Sequence, residues 1–319
     1  MYIITYLNFL NFFLKKTYME TIHKKIALSR KNISENSLNA YLSNVKKVFK
    51  EVFSNKIDIK LLNQFVKVKK YLTSLTPATR KNVMTALIVL LKAYETPKRT
   101  LNKYQKYFEE LVSDYENNYD NQVKSDKDNK NWITYEQLMN KIKELEDIIS
   151  KYDTSKLTNK EEDIIQQHLI LILYTEIPPM RNDYAQMKVY HNKEVKGENY
   201  INLKNKVIIL NKYKTAKTYG EKEIDIPDKV IKIIRRWIDI TENEYLLINI
   251  RDRNPMTNNG LTKYLNKIFK PKKVSTTLLR KLYLSEKYPV IHDRKDMKKD
   301  AYIMGHSLET QQGIYRKKK

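Results

Sequence analysis

The chain has no cysteine, which excludes a disulfide framework, a thiol nucleophile and any cysteine-bound zinc or iron–sulfur site. Its five histidines (His23, His168, His191, His292, His306) fall at no metal-ligand spacing, so neither a metal nor any other cofactor is expected. Glycine and proline are scarce, 5 and 8 in 319 residues, so little interrupts helices. Long apolar runs are missing too. The longest candidate, Tyr2–Leu14, is 13 residues, short of the roughly 20 that span a bilayer, and it lacks the basic start and cleavage site of a secretory signal. Acidic residues are in deficit, 37 against 61 Lys and Arg, which leaves a net charge of +24. A charge of that size calls for a polyanion, most often nucleic acid, although a Lys-rich proteome from an AT-rich genome would give a basic, merely solvated surface.

What is present is 41% hydrophobic residues, enough for two cores at this length. Residues 1–19 read as a doubtful or disordered extension, with Met19 an alternative start. Residues 20–119 are helical throughout. Leu38, Tyr41, Leu42, Val45, Val48 and Phe49 make one stripe at helical spacing, Leu61, Leu62, Phe65 and Val66 a second, and Val83, Leu87, Leu90, Leu91 and Tyr94 a third behind Thr76-Pro77. Residues 120–131 are polar and aperiodic, a linker. The second domain, 132–319, opens on the capping pair Thr134 and Gln137 and continues with an apolar helix over Ile164–Tyr174. The period then becomes extended: Lys206–Tyr213 and Glu221–Ile226 form a hairpin turning at Tyr219-Gly220, with Tyr200–Leu203 as a third strand. Helices return at Lys229–Ile240, Thr257–Phe269, Ser275–Glu286 and Lys295–Met304. The fold class is mainly α with a small antiparallel β-sheet, α+β.

Four short segments stand out in this frame: Ile177-Pro-Pro-Met-Arg181-Asn-Asp183, Tyr213-Lys-Thr-Ala-Lys217-Thr-Tyr-Gly220, Thr277-Leu-Leu-Arg280, and Met304-Gly-His306-Ser307 with Tyr315 nine positions after the histidine. In this order they resemble the boxes of the tyrosine recombinase (phage-type integrase) family. The wording is closest to versions carried by large eukaryotic DNA viruses, virophages and related mobile elements. The resemblance runs from about Ser34 to Tyr315 and implies an N-terminal helical core-binding domain followed by a catalytic domain.

Cutting a phosphodiester without metal needs a nucleophile, an acid for the departing oxygen and cations for the transition state. The resemblance makes Tyr315 the nucleophile, and Arg181 and Arg280 the forks on the phosphate. It makes His306 a donor to a phosphate oxygen and Lys214 the acid, with Lys217 second. Asp183 would orient Arg181, although the family places its acid one residue later. Thr277 stands where the family has histidine and cannot titrate near neutral pH. Only Arg316–Lys319 follow Tyr315, so docking through a further C-terminal helix is in doubt.

The implied activity is site-specific recombination or integration of double-stranded DNA through a 3′-phosphotyrosyl intermediate. A homo-oligomer, a tetramer on synapsed DNA, would carry it out inside the cell, wherever host or viral DNA resides, with no membrane partner. A type IB topoisomerase-like relaxation activity and a relative that binds DNA without cutting it remain the alternatives.

Overall fold

The computed structural model describes residues 18–120, 124–288 and 294–315. Most of the expected extension (1–17), part of the expected linker (121–123) and Arg316–Lys319 lie outside them. The chain divides into two compact units between Asn118 and Tyr119, each with its own apolar core.

The first unit is helical: α1 (18–29), α2 (Glu35–Phe53), α3 (Phe65–Thr73), α4 (Pro77–Ala93) and α5 (Lys98–Asp120), the last running across the boundary. Ser34 opens α2 by accepting the Ser37 N–H (3.2 Å), and Ser54 and Asn55 end it in the left-handed region. Leu38, Val45, Val48, Phe49 and Phe53 are buried along one face of α2, which packs on α4. The stripe expected through Leu61, Leu62, Phe65 and Val66 breaks into two elements. Asp58 caps a 3₁₀ turn (Ile59–Asn63) by accepting the Lys60 N–H (2.9 Å), and α3 restarts in a new phase that leaves Val66 81% exposed. Arg80 donates to the carbonyls of Leu72, Thr73 and Leu75 (2.8, 2.9 and 3.1 Å), closing the end of α3.

The second unit begins with α6 (Asp126–Asn131), a helix inside the stretch that composition reads as a linker. A Ser125/Asp128 capping box starts it, and Lys281 pairs with Asp128 at 2.6 Å, so a cap and an ion pair supply what apolar periodicity does not. Capping boxes also open α7 (Tyr135–Ile149) and α8 (Asn159–Glu176). Residues Ile165–Thr175 of α8 are buried on every side, which explains the apolar run Leu169–Tyr174 within them. Ahead of that run the Gln166 amide brackets the main chain of Ile248, donating to its carbonyl (3.0 Å) and accepting its N–H (2.8 Å).

Four strands follow in spatial order β1 (Lys188–Tyr190), β2 (Tyr200–Asn202), β3 (Val207–Leu210) and β4 (Lys222–Asp225). β2–β3 and β3–β4 are antiparallel as expected, with Ile208 opposite Ile224. β1 adds to β2 in parallel, so the sheet is mixed rather than antiparallel. Three residues with one buried side chain, Val189, give too little alternation to read from sequence. α9 (Ala216–Tyr219) and Gly220 (φ 67°) carry the chain from β3 to β4. The remaining helices are α10 (Asp228–Thr241), α11 (Asn258–Ile268), α12 (Thr276–Lys287), α13 (Arg294–Met304) and α14 (Leu308–Thr310), then a π-helical turn (Gln311–Tyr315). No described helix is long and apolar enough to cross a membrane.

Candidate active site

α8 ends where Ile177-Pro-Pro forbids further helix, and the chain turns back through Arg181. The Tyr174 hydroxyl donates to the Arg181 carbonyl (2.7 Å), and the Tyr174 ring meets Tyr184 edge-on with centroids 5.3 Å apart. Asp183 accepts the main-chain N–H of Arg181 (3.2 Å), so it fixes the backbone that carries the guanidinium. Burial pushes the Asp183 carboxyl up, against the pull of Arg181 and Arg280.

The Arg181 guanidinium reaches the end of α13, where its Nη1 donates to the carbonyls of Met304 (3.3 Å) and Gly305 (3.4 Å). That helix closes in a Schellman arrangement: the Gly305 N–H bonds to Tyr302 O and the His306 N–H to Ala301 O, both at 3.0 Å. Gly305 sits at φ 69°, and a Cβ there would lie 3.0 Å from Thr215 Oγ1 and 3.2 Å from Arg181 Nη1. Thr215 on the β3–β4 connection donates to Gly305 O (3.2 Å). Arg280, from α12, donates through Nη2 to Met304 O (3.0 Å) and is only 1% exposed. The carbonyls closing α13 therefore collect donors from three other parts of the unit. The negative end of a helix favours such cations.

These contacts do not use up the donors. Nε and Nη1 of Arg280 are buried without a partner. Burial and the neighbouring Arg181 lower the Arg280 pKa to about 10, which still leaves a full cation at neutral pH. His306 is buried, and burial first, then Arg280, Arg181 and Lys222, depress its pKa to about 4. Its Nδ1 lies 3.2 Å from Ser307 O, which can only accept, so the neutral ring carries its proton on Nδ1 and leaves Nε2 a bare, unpartnered lone pair. The Tyr315 ring stacks on His306 (centroids 4.8 Å apart, 23° between planes), with the Arg280 guanidinium 4.4 Å from its centroid.

Arg181, Arg280, His306 and Tyr315, picked from separated segments, are thus brought together. Lys214 and Lys217 are exposed on the β3–β4 connection. Thr277 is exposed as well; its neighbour Thr276 is the buried one, donating to Asn182 Oδ1 at 2.7 Å. The residue that sequence reading missed is Lys222. It is 1% exposed, its Nζ donates to Tyr302 O, and it lies 4.3, 4.9 and 5.0 Å from the ring centroids of Tyr302, Tyr213 and Tyr219. The signal was present in the strand: Lys222, Ile224 and Ile226 share one parity, and both isoleucines are buried.

No protein-family model matches the chain. No curated protein matches it either. Among solved structures it is similar to the crystal structure of XerA recombinase, with a TM-score of 0.39 and 14% identity over 92% of this chain and 93% of that one.

Proposed function

We propose that this protein breaks and rejoins double-stranded DNA as a site-specific recombinase or integrase, with Tyr315 as nucleophile. One observation carries the reading: a buried arginine with two unmatched N–H groups and a histidine with an unmatched nitrogen, both packed against one tyrosine. Each unmet donor in a dry site costs on the order of 1–3 kcal/mol, a cost that an entering phosphodiester oxygen removes.

In this reading Arg181 and Arg280 hold the non-bridging oxygens, for which planar forks are suited and lysine is not. His306, uncharged and with Nε2 bare, takes the phenol proton as Tyr315 attacks phosphorus. The 5′ oxygen departs and the 3′ phosphate stays on Tyr315. The link conserves bond energy, so a second 5′ hydroxyl reverses it without ATP. The family resemblance adds a synapsed homo-oligomer, a tetramer, and a home in viral or mobile DNA.

The test is covalent capture on nicked duplexes, taken from DNA flanking the protein's own gene and from a randomised pool. A slow-migrating adduct on denaturing gels is expected with the wild type. Tyr315→Phe should abolish it, because the substitution removes the attacking oxygen without changing charge. No adduct on any duplex, or an adduct that survives Tyr315→Phe, refutes the proposal.

A further inference from the structure

Resting on the strand-breaking reading above, we infer that Lys222, the buried lysine of β4, is the group that protonates the departing 5′ oxygen, rather than the exposed Lys214 or Lys217 of the connection before it.

Lysine is almost never buried without a carboxylate partner, because its charge loses its hydration. Lys222 is such a case. Among the described residues no carboxylate lies at ion-pair distance; the ammonium is held by one carbonyl, that of Tyr302, and by the faces of three tyrosines. Those contacts keep a cation in a dry place without neutralising it. They also keep it beside the proposed phosphate-binding arginines: a point one methyl group out from the Gly305 Cα is 3.8 Å from Lys222 Nζ and 3.2 Å from Arg181 Nη1, and the charges of Arg181 and Arg280 both act on the ammonium. β4 supplies the rigidity, since Lys222 is paired with Leu210 in the β3–β4 ladder. Burial, then Arg181, pulls the Lys222 pKa down to about 8, with Asp183 opposing, so the ammonium is still the main form at neutral pH yet parts with a proton far more easily than an exposed lysine. Lys214 and Lys217 have no such surroundings.

The step balances. Tyr315 Oη forms its bond to phosphorus while its proton passes to His306 Nε2. The P–O5′ bond breaks, and O5′ takes a proton from the Lys222 ammonium, leaving an amine. In rejoining, that amine takes the proton of the incoming 5′ hydroxyl, and the imidazolium returns its own to the phenol oxygen. No oxidant, reductant or metal enters the count.

A lysine serving only to tie β4 to α13 would show the same burial, so the test uses the leaving group. The nicked duplexes are compared with duplexes carrying sulfur in place of the bridging 5′ oxygen, because a thiolate departs without being protonated. Lys222→Met keeps the length and apolar stem. It is expected to slow adduct formation at least ~100-fold on oxygen, within the usual range for an acid catalyst, and to stay within a few-fold of wild type on sulfur. Lys214→Ala and Lys217→Ala should change both substrates alike. Should Lys222→Met fail to fold by circular dichroism, the wild type decides alone: its rate on oxygen should fall as pH rises through about 8, and its rate on sulfur should not. Equal losses on both substrates for Lys222→Met, rescue by sulfur in Lys214→Ala or Lys217→Ala, or wild-type pH profiles that coincide would overturn the assignment while leaving Tyr315 cleavage standing. A wild type that forms no adduct with either substrate removes the strand-breaking reading, and Lys222 with it.

Discussion

His306 sets how the site answers to acid. Its pKa of about 4 lies below the ordinary value near 6.5, so the folded state favours the neutral ring. This contribution to stability is therefore present above about 6.5 and is lost as pH falls toward 4. Proton NMR of the five histidines, with His306 identified by its loss in His306→Asn, should show one ring titrating near 4. Arg280→Gln should raise that value by removing a neighbouring cation, short of 6.5 because the ring stays buried. A ring at 6.5 in the wild type would contradict the buried placement. Gly305 gives a second expectation at this scale. Alanine there meets a left-handed φ, costing ~1–2 kcal/mol, and a Cβ crowding Thr215 Oγ1 and Arg181 Nη1. Gly305→Ala should therefore lose about that much stability by urea titration and slow adduct formation well beyond what the stability loss accounts for. Both residues were legible as a Gly-His-Ser box. Lys222 was not, because in a chain with 61 Lys and Arg only its strand parity marks it out.

Among the elements, the longer helices were the most legible, since most carry a stripe or a cap in the sequence; α9, with neither a side-chain cap nor a buried residue, was not. α8 was readable as an apolar run, and it was the turn after it, not the helix, that fixed the position of Arg181. The failures share a cause. β1 is three residues long, α6 is held by a cap and an ion pair, and the stripe before α3 changes phase at Gln64. In none of them does hydrophobic period determine the structure, and period is the main thing a single sequence displays. The end of α13 was illegible for another reason: its role comes from main-chain carbonyls, which have no letter. α8 also carries a prediction. Gln166→Leu keeps the bulk and strands both the N–H and the carbonyl of Ile248 in the core, which should cost about 2–4 kcal/mol in urea unfolding with the m-value unchanged. The His306 titration should stay where it was, because the damage lies at another wall of the core.

For the whole molecule, the net charge of +24 makes DNA affinity a poor discriminator, because any basic protein binds more weakly as salt rises. The slope is more informative than the affinity. Each phosphate that a cation neutralises adds about 0.9 to the fall of log K with log salt. Tyr315→Phe changes no charge and should give the wild-type slope on a nicked duplex. Arg280→Gln removes one cation from 61, and if Arg280 sits on a phosphate the slope should flatten by about 1, with adduct formation falling on the order of 10²–10³-fold. A variant that lost the adduct but kept the full slope would place Arg280 in the architecture that supports Met304 and Tyr315, and off the phosphate. The buried, unmatched Nε and Nη1 argue the other way: a purely structural arginine would have spent those donors on the protein, and here they are still open.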